Sequence, residues 1–177
     1  LYHCPIVIQY HAEEEILFRK TPVTVLISEF VEGELLTEFL KRQPGKRLSP
    51  FQAINLLYVL SFGLESIHNE NEYHGDLHSE NIIVSRYGLN FELKLLDLFH
   101  WNTSKKENIQ DDICSAIQIF HESLGGAKWY AKQPKEIKQI CLGLKRSLIL
   151  KKFPRVAVLR GYPVSYTHLT LPTIAGV

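Results

Sequence analysis

The sequence predicts an α+β fold in which two strands precede a mainly helical body that contains a small β-hairpin. Three observations lead to this prediction. Two β-rich runs, IVIQY at 6–10 and VTVLISEFV at 23–31, stand near the start and are separated by polar residues. A long amphipathic helical pattern extends from about 50 to 69. After it, the apolar runs NIIVS and FELKLLDL flank the turn-like RYGLN, which predicts a hairpin.

The helices before the hairpin are predicted from apolar spacing and from capping residues. Apolar residues between 35 and 40 repeat at helical spacing, which indicates a short amphipathic helix, and the following KRQPGKR is typical of a loop. Ser49 then precedes Pro50, the arrangement of an N-cap with proline at the first helical position. We expect the long helix to run from there to about Asn69.

The second half of the chain is predicted to be helical after a polar loop. Residues 102–110 are polar and loop-like, and Asp111 or Asp112 is the expected start of a helix that the GG pair ends. Two further helical stretches are predicted over about 134–147 and 154–160.

The composition restricts the class of protein. Hydrophobic residues make up 45% and charged residues 22% of the 177 residues, as in ordinary globular domains. The net charge of +1 supplies no basic face for nucleic acid. Three widely spaced cysteines argue against a disulfide framework and for a reducing compartment. No apolar run approaches the length of a membrane span. We therefore expect a cytoplasmic protein that binds neither nucleic acid nor membrane.

The two ends of the sequence are unusual. The chain contains no methionine and begins at Leu1. The stretch VSYTHLTLPT, at 164–173, resembles one reading frame of an adapter used in sequencing libraries. We therefore expect a fragment of a longer protein, with a non-native tail over 163–177.

The stretch HGDLHSEN, from His74 to Asn81, concentrates polar side chains directly before an apolar run. Asp76 and Asn81 lie in a loop that leads into a strand, and Asp97 ends the next strand at the same edge. Two carboxylates and an amide are hard oxygen donors that suit Mg²⁺ held together with phosphate oxygens. One carboxylate can instead accept a hydroxyl proton. Taken alone, Asp76 and Asn81 are also compatible with a turn residue and a cap.

These residues carry a resemblance to the protein kinases. HGDLHSEN resembles the catalytic loop H-R-D-L-x-x-x-N, and LLDLF stands where the family carries D-F-G. VLISEFVEGELL resembles the fifth strand and hinge, and DDICSAIQIF resembles a helix of the large lobe. The ordered set covers about 1–162 and implies a truncated kinase-like fold. Residues 1–31 would be a remnant of the small lobe, and 32–162 would be the large lobe.

The resemblance implies roles for the polar residues of the loop and its surroundings. Asp76 would orient or deprotonate the acceptor hydroxyl, and Asn81 and Asp97 would hold Mg²⁺ against the phosphates of ATP. His74 would pack beneath Asp97, and Asp112 would accept hydrogen bonds from the backbone of the loop.

The resemblance also implies an adenine site. Ser28 falls at the gatekeeper position, and the Glu29 carbonyl and the Val31 N–H would bond the edge of the base. Ile83 would form the apolar floor beneath the ring. The adenine site and the three oxygen donors are expected to meet in one nucleotide-sized crevice.

Several residues depart from the family pattern. Gly75 replaces the usual arginine, His78 replaces the lysine common in serine/threonine kinases, and Phe99 replaces the glycine of D-F-G. The segment between Asp97 and Asp112 is short, which argues against a peptide-docking platform. The sequence given has no glycine-rich loop and no strand lysine, so we expect the chain in isolation to be a poor catalyst.

Three functions follow from the resemblance. The first is ATP- and Mg²⁺-dependent phosphoryl transfer to a serine or threonine of a protein substrate. The second is transfer to a small alcohol, because HGDLHxxN is frequent in kinases of the aminoglycoside and choline type, and Gly75 and His78 match it. The third is a pseudokinase scaffold that binds partners or nucleotide without transfer.

Overall fold

A computed structural model describes residues 4–88, 90–99 and 101–162. Within these ranges the predicted α+β class is confirmed, with two small antiparallel sheets and a helical body. The strands are β1 (Tyr10–Phe18), β2 (Thr21–Ser28), β3 (Glu34–Leu35), β4 (Ile82–Tyr87) and β5 (Asn90–Leu95). The helices are α1 (Leu36–Arg42), α2 (Pro50–Asn69), α3 (Lys105–Ser123), α4 (Ala127–Tyr130), α5 (Lys135–Cys141) and α6 (Arg146–Lys152). The predicted tail over 163–177 lies outside the described residues.

β1 and β2 form a two-stranded antiparallel ribbon. Arg19 and Lys20 connect the strands with φ values of 49° and 68°, and positive φ at both turn residues matches the twist of a tight hairpin. The prediction of strands at 6–10 and 23–31 joined by a polar loop is wrong, because the acidic run of 13–15 lies inside β1. Every side chain of β1 is exposed, so acidic residues are tolerated there without desolvation.

The second sheet has the order β3-β4-β5, and its β4–β5 pair is the hairpin that the sequence predicts. Val7 makes a parallel bridge to Leu95 beside this sheet. The Ile8 N–H donates to the Leu95 carbonyl at 3.0 Å, and the Leu95 N–H donates to the Ile6 carbonyl at 2.7 Å. The first β-rich run therefore attaches to the end of β5 instead of forming a long strand of its own.

The long helix α2 begins at Pro50 and ends at Asn69, as predicted. Ser49 and Gln52 form a capping box, in which each side chain accepts a hydrogen bond from the other residue's N–H. The helix packs on α3 and β5 through buried apolar side chains. Those of α2 are Ala53, Ile54, Leu56, Leu57, Leu60, Leu64 and Ile67.

α3 begins at Lys105, before the predicted start at Asp111 or Asp112. The reason is a second capping box, formed by Ser104 and Glu107. Lys105, Lys106 and Glu107 at its start are exposed, so the polar composition there is compatible with a helix. The predicted end at the GG pair is confirmed, because both glycines have positive φ directly after the helix.

The chain after α3 is helical but more interrupted than predicted. The expected stretch over 134–147 is divided into α5, a short 3₁₀ turn over 142–144, and the start of α6. Leu142 and Leu144 have φ values of 49° and 58°. These left-handed backbone conformations interrupt the regular α-helix between α5 and α6. Residues 156–162 are helical again. Across residues 4–88, 90–99 and 101–162, none of the helices has the length and apolar composition needed to cross a bilayer.

Candidate active site

The loop from His74 to Asn81 connects the end of α2 to β4, and it brings Asp76 and Asn81 into contact. The Asn81 Nδ2 group donates to the Asp76 backbone carbonyl at 3.0 Å and to its Oδ2 at 3.3 Å. Asn81 is buried, whereas the Asp76 side chain is 47% exposed to solvent. Because the NH₂ group of Asn81 is directed at Asp76, its Oδ1 is the side-chain atom that can bind a cation.

His78 lies beside the Asp76 carboxylate. Its Nδ1 accepts a hydrogen bond from the Glu80 N–H at 3.2 Å, and its Nε2 lies 3.6 Å from Asp76 Oδ2. A neutral ring that accepts at Nδ1 carries its proton on Nε2, on the side of Asp76. The pair is about half exposed, so solvent screens its attraction.

Asp112 supports the same loop from the buried side. Its Oδ2 accepts from the His74 N–H at 2.8 Å, and its Oδ1 accepts from the Gly75 N–H at 3.0 Å. His68 Nε2 lies 3.0 Å from the same Oδ2. The carboxylate is 1% exposed, so these contacts replace its hydration. These are the loop contacts that the resemblance implies for Asp112, and a role in phosphoryl transfer stays a prediction.

His74 is completely buried in the described structure. Its Nδ1 accepts from the Asp76 N–H at 3.3 Å, which ties the ring to the backbone of the candidate catalytic residue. Burial lowers the pKa of His74 below its ordinary value of 6.5, although the Asp112 charge opposes the shift. The ring is therefore neutral at neutral pH, and its predicted role as a structural support stays a prediction.

Asp97 follows the end of β5 and has a φ of 52°. Its Oδ1 accepts from the Tyr10 hydroxyl at 3.2 Å. The pKa of Tyr10 is raised by burial and then by the Asp97 charge. The Leu96 N–H donates to the Asn81 carbonyl at 2.9 Å, so the strand end that carries Asp97 is bonded to the candidate loop.

The hinge residues Glu29 and Val31 and the floor residue Ile83 line one cleft of about 550 Å³. Ser28 is not among the residues that line it; its hydroxyl donates to the Glu29 carbonyl at 3.3 Å. The carbonyl that the resemblance assigns to adenine therefore already has a protein donor in this structure. Asp76, Asn81 and Asp97 are not among the residues that line this cleft, and their meeting with the adenine site in one crevice stays a prediction.

Lys94 is a residue of the cleft that sequence reasoning missed. Its Nζ donates to Glu29 Oε1 at 2.6 Å, and the Gln9 N–H donates to the same oxygen at 3.0 Å. The Lys94 hydrogen bond and then the Gln9 N–H lower the pKa of the Glu29 carboxyl. The alternation in FELKLL could have identified Lys94, because it stands opposite Ile83 on the less buried face of the hairpin.

Gly33 allows the segment after β2 to approach the β4–β5 hairpin closely. A Cβ at this position would lie 2.7 Å from the Val84 carbonyl oxygen and 2.8 Å from Ile83 Cγ2. The φ of Gly33 is 143°, in a region that side chains rarely adopt. Glycine is therefore the residue that fits here.

The side-chain oxygens of Asn81 and Asp97 are of the chemical kind that Mg²⁺ binds. Within the part of the chain that the structure describes, no group of three or more His, Cys, Asp or Glu side chains forms a metal-site cluster. The predicted ligands are instead an amide and a carboxylate, Asn81 and Asp97. Mg²⁺ prefers oxygen donors and commonly uses one or two carboxylates together with substrate phosphates.

Comparison with known proteins adds a limited similarity. No protein-family model matches the chain. Over 72 residues it is 39% identical to the serine/threonine-protein kinase pkn2 of Myxococcus xanthus. That match covers 41% of the chain and 8% of the kinase, so the chain spans a small part of this relative's length. The similarity supports a kinase-like region in this α+β chain.

Proposed function

We propose that the chain belongs to an enzyme that transfers the γ-phosphoryl group of ATP, with Mg²⁺, to a serine or threonine hydroxyl of a protein. In this proposal residues 1–31 belong to the small lobe and 32–162 to the large lobe. The observation that carries the proposal is the contact of Asp76 with Asn81 in a loop whose backbone Asp112 holds. The similarity to a serine/threonine-protein kinase agrees with a protein substrate.

Asp76 would orient the attacking hydroxyl and accept its proton. The Asn81 amide and the His78 ring approach the same carboxylate oxygen, so Oδ2 is oriented by the protein. Asp97 and Asn81 Oδ1 would hold Mg²⁺, which supplies charge neutralisation at the phosphates when bound. The Tyr10 hydroxyl would support the Asp97 carboxylate from β1.

The hinge cleft would hold the nucleoside. Its volume of about 550 Å³ is in the range of small-molecule sites. Val31 and Ile83 supply the backbone donor and the apolar floor that the resemblance assigns to adenine. The Glu29 carboxylate is bonded to Lys94, so this proposal uses the main chain of Glu29 and not its charge.

A small hydroxylated acceptor is the second candidate. The early start of α3 at Lys105 supports it, because only residues 98–104 remain between Asp97 and the helix for a peptide-docking segment. A pseudokinase that binds nucleotide without transfer is the third candidate.

Transfer of radiolabelled phosphate from Mg·ATP to a protein mixture and to small amino alcohols distinguishes these candidates. The assay uses the chain and, in parallel, the longest open reading frame that contains it. Labelled protein supports the first candidate, and a labelled amino alcohol supports the second. Nucleotide binding without transfer to either acceptor supports the pseudokinase.

Two substitutions test the assigned residues in this assay. We expect Asp76→Asn to lower kcat by about 10²–10⁴-fold because it removes the proton acceptor. Asp97→Asn should weaken Mg²⁺ dependence and lower the rate. Glu80→Gln is the matched control, since it removes an exposed acid of the same loop to which no role is assigned. Normal rates in both aspartate variants would rule out the proposed site.

A further inference from the structure

The N–H and carbonyl groups of the two residues before Asp76, His74 and Gly75, all make hydrogen bonds. The N–H groups of His74 and Gly75 donate to Asp112 at 2.8 and 3.0 Å. The His74 carbonyl accepts from the Phe99 N–H at 2.9 Å, and the Gly75 carbonyl accepts from Trp101 Nε1 at 2.5 Å. Each backbone polar group of the two residues therefore has a partner, and the orientation of their peptide units is fixed.

Gly75 makes this arrangement sterically possible. Its φ is 83°, and a Cβ at this position would lie 2.0 Å from the Phe99 carbonyl oxygen and 3.1 Å from the Phe99 carbonyl carbon. Both contacts are with backbone, which cannot move aside like the end of a flexible side chain. Glycine at position 75 therefore allows the backbone of residue 99 to approach the loop closely.

Phe99 and Trp101 also contact one another. Their ring centroids are 4.6 Å apart at an interplanar angle of 58°. Both side chains are about half exposed, so the pair is an aromatic contact at the surface. The Phe99 ring supports the indole whose N–H reaches the Gly75 carbonyl. We name Phe99 and Trp101 the aromatic clamp.

We propose that Trp101 is a positioning residue, which fixes the backbone that carries Asp76 by bonding the Gly75 carbonyl. This inference rests on the proposed function for its consequence in catalysis. The clamp uses uncharged contacts, and the arginine that the kinase pattern places at Gly75 to bind a phosphorylated residue is replaced. In this proposal the uncharged contacts of Phe99 and Trp101 hold the loop, and no phosphorylated residue is needed to hold it.

Amide hydrogen exchange of the chain tests the clamp without any assay of activity. Trp101→Phe keeps an aromatic ring beside Phe99 and removes the indole donor. We expect the Phe99 and Asp76 amides to exchange about tenfold faster, because the variant lacks one of the hydrogen bonds that hold this part of the loop. Trp129→Phe, at the other tryptophan of the chain, should leave both rates unchanged. Exchange within twofold of the wild type in Trp101→Phe would overturn the proposal.

The kinetic measurement separates positioning from a general structural role. In an active preparation Trp101→Phe should lower kcat about tenfold, with the KM for ATP and the melting temperature unchanged, because it displaces Asp76 and not the nucleotide. Phosphatase treatment of the wild type should leave both kcat and the exchange rates as they were. A rise in KM alone, or a loss of activity on phosphatase treatment, would contradict the inference.

Failure of the inference and failure of the proposed function give different results. If the longest open reading frame that contains the chain transfers no phosphate, the proposed function fails, while hydrogen exchange still decides whether Trp101 holds the loop. Gly75→Ala is a second variant with the same expected exchange result. If it does not fold, Trp101→Phe decides the question alone.

Discussion

The β1–β2 ribbon and the loop from His74 to Asn81 are built in opposite ways. The ribbon is held by pairing between neighbours in the sequence, and all side chains of β1 are exposed. The loop is held by residues distant in the sequence, since Asp112 lies 38 positions after His74. The geometry of the candidate site therefore depends on tertiary contacts, and we expect the ribbon to tolerate substitutions better.

The largest effect should come from removing the carboxylate behind the loop. Asp112→Ala leaves the N–H groups of His74 and Gly75 without their acceptor, and we expect a loss of about 4 kcal/mol in the free energy of unfolding. Urea denaturation measures it. Asp111→Ala is the matched control, because its exposed pair with Arg146 should contribute less than about 1 kcal/mol. Equal effects of the two substitutions would contradict the contrast between loop and surface.

Gly33→Ala should have the next largest effect. The added Cβ meets the Val84 carbonyl oxygen and adopts a φ that disfavours side chains, so we expect a loss of about 3 kcal/mol. Gly88→Ala is the control, because Gly88 also has positive φ but a Cβ there meets nothing within 4 Å. Its cost should be about 1 kcal/mol. A larger loss in the free energy of unfolding for Gly88→Ala than for Gly33→Ala would show that the close approach of Gly33 to the Val84 carbonyl is not needed.

Acidification should weaken the helical body in a defined window. Burial lowers the pKa values of His74 and His121 below 6.5, so below that pH the unfolded chain binds more protons than the folded one. The free energy of unfolding should therefore fall as the pH drops through 6.5 toward the folded-state pKa values, with no contribution from these groups above 6.5. Urea midpoints at about pH 7.5 and 5.5 measure this. A higher midpoint at the lower pH would contradict it.

Replacement of one buried ring tests the source of this pH dependence. His121→Phe should reduce the difference, since it removes one of the two buried rings. An unchanged difference in His121→Phe would assign the dependence to other groups.

The smallest effect is expected in the ribbon itself. Val23→Thr replaces an exposed side chain of β2 with one of the same shape, and we expect a change within about 0.5 kcal/mol. The same substitution at Val84, which is buried in β4, places a hydroxyl in the core and should cost about 2 kcal/mol. Urea denaturation of the two variants compares the regions directly. Similar losses in the free energy of unfolding of the two variants would mean that Val23 is buried in solution.

The elements with strong local signals could be predicted from the sequence. The Ser49–Pro50 pair and the regular apolar spacing behind it determine α2, and the turn between two apolar runs determines the β4–β5 hairpin. β1 could not be predicted, because its side chains contact solvent on both faces and no burial pattern marks it. The early start of α3 was predictable in principle from the Ser104–Glu107 capping box.

Some contacts of the candidate site could also be predicted from the sequence, and others could not. The contact of Asp76 with Asn81 could be predicted, because the two residues are close in sequence in a loop before a strand. The HGDLHSEN motif also predicts it. The bond between Trp101 and Gly75 could not be predicted, since it depends on how the chain turns after β5. The position of the hinge cleft relative to Asp76 also depends on packing that no local pattern encodes.

The attachment of residues 6–8 to Leu95 has a mechanical consequence. The two hydrogen bonds to Leu95 join the chain just before the ribbon to the strand end that carries Asp97. The ribbon also reaches Asp97 directly, since the Tyr10 hydroxyl donates to its carboxylate at 3.2 Å. A displacement of the ribbon would therefore act on Asp97 through its side chain and through the backbone of β5.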